Sequence, residues 1–141
     1  MNRKRILVVD DAQTVRLFCR DTLERAGFEV EEAGNGIEGL ERALGGGFDL
    51  LLVDINMPRM DGYEMVRHLR EAPALHGVPV VAISTEASDA DVVRAYRAGA
   101  TVYMVKPVRA AQLARTAQLL TGQLLTGQLL TGQVPAGTSA S

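Results

Sequence analysis

Six residues with charged or hydroxyl side chains stand directly after short apolar runs in this chain. Asp10 and Asp11 follow Ile6 to Val9, Asp54 follows Leu50 to Val53, Ser84 and Thr85 follow Val80 to Ile83, and Lys106 follows Thr101 to Val105. Three carboxylates brought close together repel, and each raises the others' pKa unless a cation intervenes. Mg²⁺ is the natural cation, because it takes hard oxygen ligands and is usually held by one or two carboxylates together with phosphate oxygens. A lysine adds a compact positive charge on a flexible stem, suited to a phosphoryl oxygen. A hydroxyl at Ser84 or Thr85 can donate to another, and which of the two faces inward is a question of strand alternation. Such parts make a cradle for phosphoryl transfer, where catalysis is mainly positioning and charge neutralisation.

The elements that must hold these residues can be read from the apolar pattern. Leu50 to Val53 shows no alternation, which suits a strand buried on both faces of a parallel sheet. An ionised Asp54 inside that core would cost several kcal/mol, so it belongs at the open carboxyl end of the strand. Pro58 keeps the strand from running on. Val15, Phe18, Cys19, Thr22, Leu23 and Ala26 follow helical spacing, and Gly27 supplies a C-terminal stop. Phe28 to Ala33 alternates apolar and acidic residues, as expected of a strand near the sheet edge. Asn35 with Glu38, Asp61 with Glu64, and Ser88 with Asp91 are capping-box pairs that open three further helices. Their inward stripes are expected at Ile37, Leu40 and Leu44, and at Met65, Val66 and Leu69. Ala72 to Gly77 is expected to be a loop. A last helix begins near Arg109, with Leu113, Ala117 and Leu120 inward. Strand and helix patterns alternate five times, which predicts an α/β fold with a doubly wound parallel sheet and right-handed crossovers. The carboxyl ends of the strands then share one rim, where the winding reverses and leaves a crevice.

A length of 141 residues fits one domain able to bury its own core, and 47% hydrophobic and 23% charged residues are ordinary for a globular protein. A net charge of −2 gives no argument for nucleic acid or membrane as a partner. The single Cys19 excludes an internal disulfide framework and is expected to be a small buried hydrophobe. The basic start ahead of Ile6 is followed by too short an apolar run for a signal peptide, and no stretch reaches transmembrane length, so a cytoplasmic location is expected. His68 and His76 have no partners at ligand spacing, and Met57, Met60 and Met65 read as packing residues.

Asp10-Asp11 after the first strand, the D-x-N-M-P-x-M-D-G block from Asp54 to Gly62, a hydroxyl after the fourth strand and Lys106-Pro107 after the fifth stand in one register. In these residues, over about positions 4 to 120, the chain resembles the receiver domains of two-component response regulators, and the single-domain chemotaxis type in particular. The resemblance implies a flavodoxin-like sheet of five strands in the order 2-1-3-4-5, with five helices. It implies that Asp54 is the phospho-acceptor, taking a phosphoryl group from a sensor histidine kinase or a phosphotransfer protein. Asp11 and Asp54 would bind Mg²⁺ through carboxylates, Asn56 through its backbone carbonyl, and Asp10 mostly through metal-bound water. Lys106 would pair with the phosphoryl oxygens, and Pro107 would follow a cis peptide. Ser84 aligns with the switch hydroxyl and Tyr103 with the switch aromatic, although Tyr suits any half-buried strand. Glu86 and the side chain of Asn56 occupy positions that tune how long the phosphoryl group survives. The same resemblance implies a signalling switch rather than a turnover enzyme. Its downstream protein target would bind through the fourth helix, fifth strand and fifth helix, with no nucleic acid or membrane partner, and as a monomer or weak dimer.

The receiver is expected to span 1–122, with an extension over 123–141 that repeats Leu-Leu-Thr-Gly-Gln before a flexible terminus. A five-residue period turns about 500° around a helix, so the Leu pairs do not keep to one face. Gly122, Gly127 and Gly132 each disfavour helix by about 1 kcal/mol. The extension therefore reads as frayed, with a docking segment as the other possibility. Three other functions were open to a chain of this pattern. An aspartyl phosphatase would want a second acid two residues after the nucleophile, where Asn56 stands. A flavin domain would want a phosphate loop after the first strand, where Asp10-Asp11 repels phosphate. The remaining alternative is an interaction or oligomerisation module of the same fold that signals without phosphorylation.

Overall fold

The computed structural model describes residues 3–123 apart from position 59. Five parallel strands form one sheet in the order β2-β1-β3-β4-β5. They are β1 (Arg5–Val9), β2 (Glu29–Ala33), β3 (Leu50–Asp54), β4 (Val80–Ser84) and β5 (Val102–Val105). The helices are α1 (Gln13–Arg25), α2 (Gly36–Leu44), α3 (Gly62–Glu71), α4 (Asp89–Ala98) and α5 (Ala110–Leu120). Successive side chains of a strand point to opposite faces. Leu7, Val9, Leu51 and Val53 accordingly pack with Met65, Val66 and Leu69 of α3 and Ala43 of α2. Ile6, Val8, Leu50 and Leu52 pack on the other face with Cys19 and Leu23 of α1 and Leu113 and Ala117 of α5. Four- and five-residue runs without alternation are thus the mark of strands covered on both sides.

All three capping pairs form. The side chains of Asn35, Asp61 and Ser88 accept from the backbone N–H groups of Glu38, Glu64 and Asp91. The Glu38 carboxylate reaches back to Gly34 N at 2.7 Å. Gly27 and Gly99, at φ 98° and 120°, adopt the left-handed region that ends α1 and α4.

The expected stripe of α2 is not the one that is buried. Ile37 and Leu44 are 47% and 55% exposed, and Gly36, Gly39 and Ala43 face inward instead. The cause is close approach: a Cβ on Gly39 would lie 2.8 Å from both γ-methyls of Val9 and 2.9 Å from Met65 Cε. The helix lies so near the sheet that large side chains turn outward. Phe18 of α1 is likewise 41% exposed, whereas Cys19, Thr22 and Leu23 are buried. The 72–77 loop holds one 3-10 turn, Pro73–Leu75, that buries Leu75. β5 begins at Val102, one residue later than expected, because Thr101 uses its Oγ1 to accept from Val80 N at 3.0 Å. The Leu-Leu-Thr-Gly-Gln extension lies outside the described residues from position 124 onward. No helix among the described residues is long and apolar enough to cross a membrane.

Candidate functional site

The sheet delivers the acidic residues to one rim. Asp54 is the last residue of β3, and β1 and β3 are neighbours paired from Ile6–Leu50 to Val9–Val53, so Asp10 emerges beside it. Asp10 and Asp54 are buried while Asp11 is exposed, and carboxylate oxygens of all three lie within 4.8 Å of one another. Asp10 Oδ1 also accepts from Ala12 N at 2.8 Å, which turns the chain into α1. Lys106 arrives from beyond β5, and its Nζ stands 3.2 Å from Asp54 Oδ1 and 3.4 Å from Asp10 Oδ2. The peptide between Lys106 and Pro107 is cis, as expected.

Electrostatics follow from this crowding. Burial, then the charge of Asp10, pushes the Asp54 carboxyl above its ordinary pKa, against the opposing pull of Lys106 and the Asn56 N–H. Burial works against the Lys106 ammonium, but Asp54 and Asp10 together outweigh it and hold its pKa above the ordinary value. Three carboxylates and one ammonium leave an excess of two negative charges, and all the ligand atoms are hard oxygens. That donor set fits a divalent cation of the Mg²⁺ type. Asp54 Oδ1 takes both the Lys106 ammonium and the Asn56 N–H, at 3.2 Å each. Among the described residues Asp54 Oδ2 has no hydrogen-bond donor.

Burial separates the pair of hydroxyls: Ser84, the last residue of β4, is fully buried and Thr85, just beyond the strand, is exposed. Ser84 Oγ donates to Asn56 Oδ1 at 3.2 Å and accepts from Glu86 N at 3.0 Å. The same Asn56 oxygen accepts from Thr85 N at 3.2 Å and Thr85 Oγ1 at 3.3 Å. The Asn56 side chain therefore ties the end of β3 to the loop after β4. Tyr103 is half-buried and donates its hydroxyl to the Glu86 carbonyl at 2.7 Å, which brings Glu86 and Tyr103 together at the edge of the rim. His68 stays outside the site, exposed beside Glu64 and Glu71, and His76 is exposed as well.

Two contributors carry no signal strong enough to name them from composition alone. Gly62 opens α3, and a Cβ there would lie 2.5 Å from the Asp54 carbonyl oxygen and 2.6 Å from Ile55 Cα. A glycine at the first position of a capped helix is the available hint of such close approach. Tyr63, next in line, buries its ring between α3 and α4, and Arg94 stacks on it at 4.0 Å.

Comparison with known proteins agrees with this geometry. The family described as response regulator receiver domain matches residues 6–118. The chain is 40% identical over 106 residues to the chemotaxis protein CheY1 of Helicobacter pylori, covering 73% of this chain and 85% of that one. It is 38% identical over 106 residues to the transcriptional regulatory protein ResD of Bacillus subtilis, covering 75% of this chain but only 43% of the relative. Among solved structures, the chemotaxis protein CheY4 of Vibrio cholerae superposes with a TM-score of 0.81 at 34% identity, covering 84% of this chain and 99% of that one. The receiver domain of a sensor histidine kinase from Pseudomonas aeruginosa, with a magnesium ion coordinated in its active-site cleft, superposes with a TM-score of 0.80 at 28% identity, covering 86% and 99%. The matched span runs from β1 into α5 and takes in every residue of the acidic rim, and on that ground the chain belongs to the response regulator receiver domain family.

Proposed function

We propose that this chain is a receiver that accepts a phosphoryl group on Asp54 and switches a protein-binding surface. The observation that carries this is the convergence of Asp10, Asp11 and Asp54 with Lys106 at one sheet rim. Asp10, Asp11, Asp54 and the backbone carbonyl of Asn56 would hold Mg²⁺. The ion would draw negative charge from the phosphoryl oxygens during transfer. Asp54 Oδ2, free of protein donors among the described residues, is the oxygen set to attack phosphorus, while Lys106 and the Asn56 N–H hold Oδ1 in place. A new P–O bond forms to Asp54 as the P–N bond to the donor histidine breaks, and the imidazole nitrogen leaves with the bonding pair. The Lys106 ammonium stands close enough to meet the transferred group as charge develops. Ser84 Oγ is the buried hydroxyl that can turn from Asn56 towards the new acceptor oxygens.

A sensor histidine kinase or a phosphotransfer protein supplies the phosphoryl group. The target surface is the α4–β5–α5 face, where Val93, Tyr96, Val105 and Leu119 are exposed apolar residues of the kind that mark protein contacts. The experiment is labelling with a small phosphodonor such as acetyl phosphate in the presence of Mg²⁺. The parent takes close to one phosphoryl group per chain, and Asp54→Asn takes none. Stoichiometric label on Asp54→Asn refutes the assignment, and an unlabelled parent points to a receiver fold that signals without phosphorylation.

A further inference from the structure

The segment from Ser84 to Asp91, which joins β4 to α4, is held by side chains from three other elements. Asn56, after β3, binds Ser84 and Thr85 through its amide oxygen. Tyr103 of β5 binds the Glu86 carbonyl. The third is Tyr63 of α3, whose hydroxyl lies 3.3 Å from the Asp91 carbonyl and 3.5 Å from Asp91 Oδ1. Asp91 sits in the first turn of α4, where Ser88 caps its N–H. The Tyr63 ring packs with Ile55, Ala82, Ala95 and Ala100, and Ile55 is the residue directly after Asp54. Arg94 covers the ring at 4.0 Å and lies 3.9 Å from Asp61, the cap of α3.

The two ends of α4 are held with unequal strength. At the far end Arg70 of α3 donates Nε to the Gly99 carbonyl at 2.9 Å, and its other nitrogen binds the carbonyls of Leu75 at 2.9 Å and Val78 at 2.7 Å. The Nε bond ties the end of α4 at Gly99, and the two Nη1 bonds fix the guanidinium itself on the segment between α3 and β4. At the near end the links to α3 are one long hydrogen bond from Tyr63, the stack of Arg94 and the 3.9 Å contact of Arg94 with Asp61, all longer than the Arg70 bond to Gly99, so the first turn of α4 is the more loosely tied end.

We infer that Tyr63 is a positioning residue, a brace between the Asp54 end of β3 and the first turn of α4 that sets how far a displacement at Ser84 travels into α4. This rests on the phospho-acceptor reading of Asp54 for its role in switching. An aliphatic side chain would fill the same apolar space beside Ile55 and Ala95. The phenol hydroxyl and the Arg94 stack add a polar link to α4 that packing does not require.

Amide hydrogen exchange on the full chain tests the brace, comparing the parent with Tyr63→Phe, which keeps the ring and the stack, and Tyr63→Leu, which loses both. Loss of the hydroxyl contact speeds exchange at residues 88–95 by about two- to tenfold, the effect of one ordinary hydrogen bond, and leaves Leu113 to Ala117 of α5 unchanged. Tyr63→Leu speeds it further. Both variants still take label on Asp54 from acetyl phosphate in Mg²⁺, and labelling then adds a smaller increase in α4 exchange than it does in the parent. Unchanged α4 exchange in both variants, or an increase spread equally over α5, overturns the brace and leaves Tyr63 as packing. A parent that takes no label overturns the phospho-acceptor reading and with it the switching role. The comparison of unlabelled proteins decides the brace by itself.

Discussion

Replacing Lys106 by Met keeps the aliphatic stem and removes the only ammonium found between Asp10 and Asp54 among the described residues. Each contact, at 3.2 and 3.4 Å, is worth about 5 kcal/mol of attraction at an effective dielectric of 20. Taking the lysine out of water opposes that gain, and its side chain is still 22% exposed, so solvent screens part of the rest. Breaking a buried pair typically destabilises by about 3–5 kcal/mol, and discounting for that exposure leaves about 2–4 kcal/mol at neutral pH. The sign of the pH dependence follows from Asp54. Its folded pKa already lies above the unfolded value, and Lys106 is a cause holding it down. Without Lys106 the folded pKa rises further, so the stability of the variant is present below the unfolded pKa, about 4, and is lost as pH rises through the folded one. Urea denaturation in metal-free buffer at about pH 4.5 and about pH 7.5 reads this directly. The deficit of Lys106→Met against the parent is small at the acid value and reaches its full size at the neutral one. Adding Asp10→Asn to Lys106→Met recovers at least about 1 kcal/mol, because it removes a like charge beside Asp54. A deficit of the same size at both pH values, or a double variant weaker than Lys106→Met alone, refutes the reasoning.

Asp11→Asn leaves metal-free stability unchanged or raised, since it removes an exposed carboxylate from a like-charged group. At a Mg²⁺ concentration of about 100 times the parent's Kd, binding adds about 2.7 kcal/mol, a shift of several degrees in thermal unfolding that the variant loses; an equal shift in both shows that Asp11 is no ligand. Gly62→Ala would stabilise an ordinary helix by about 1 kcal/mol, yet here the new Cβ meets backbone at 2.5 and 2.6 Å, so urea unfolding shows a loss of about 1–3 kcal/mol and acetyl phosphate labelling slows; a variant as stable as the parent refutes the close approach. Cys19 is buried and its thiol is pushed up to about 11, by burial first and then by Asp10, so an aromatic disulfide reagent at neutral pH labels it only as fast as the chain unfolds. Because that pKa lies above the unfolded value of about 8.5, the thiol's contribution to stability is intact below pH 8.5 and declines as pH rises towards 11, and rapid stoichiometric labelling of the native chain contradicts this.

What the sequence made legible depended on how local the cause was. Asp10, Asp54 and Ser84 could be placed on one rim because each stands at the end of a run too apolar to lie anywhere but in a covered strand, and Lys106 joins them because parallel strands, the half-buried edge strand β5 included, share their carboxyl ends. The caps at Asn35, Asp61 and Ser88 were legible for the same reason, since a capping bond spans three residues. β2 read correctly as an edge strand, and its Glu32 is held by Arg16 and Arg20 of α1, pairs that no local pattern announces. The strand order came from resemblance, because alternating strands and helices fit more than one winding. α2 misled because hydrophobic spacing presumes that large residues face the core. Gly36, Gly39 and Ala43 form the inner face, since Val9, Met60 and Met65 occupy the space a side chain would need. The links through Asn56, Tyr63 and Tyr103 lie beyond any periodicity: they join residues 28, 28 and 17 positions apart. Those long-range links join the end of β3, α3 and β5 to the segment before α4 and its first turn. The sequence could therefore locate the chemistry while leaving open how a change at Asp54 reaches the surface that a partner would read.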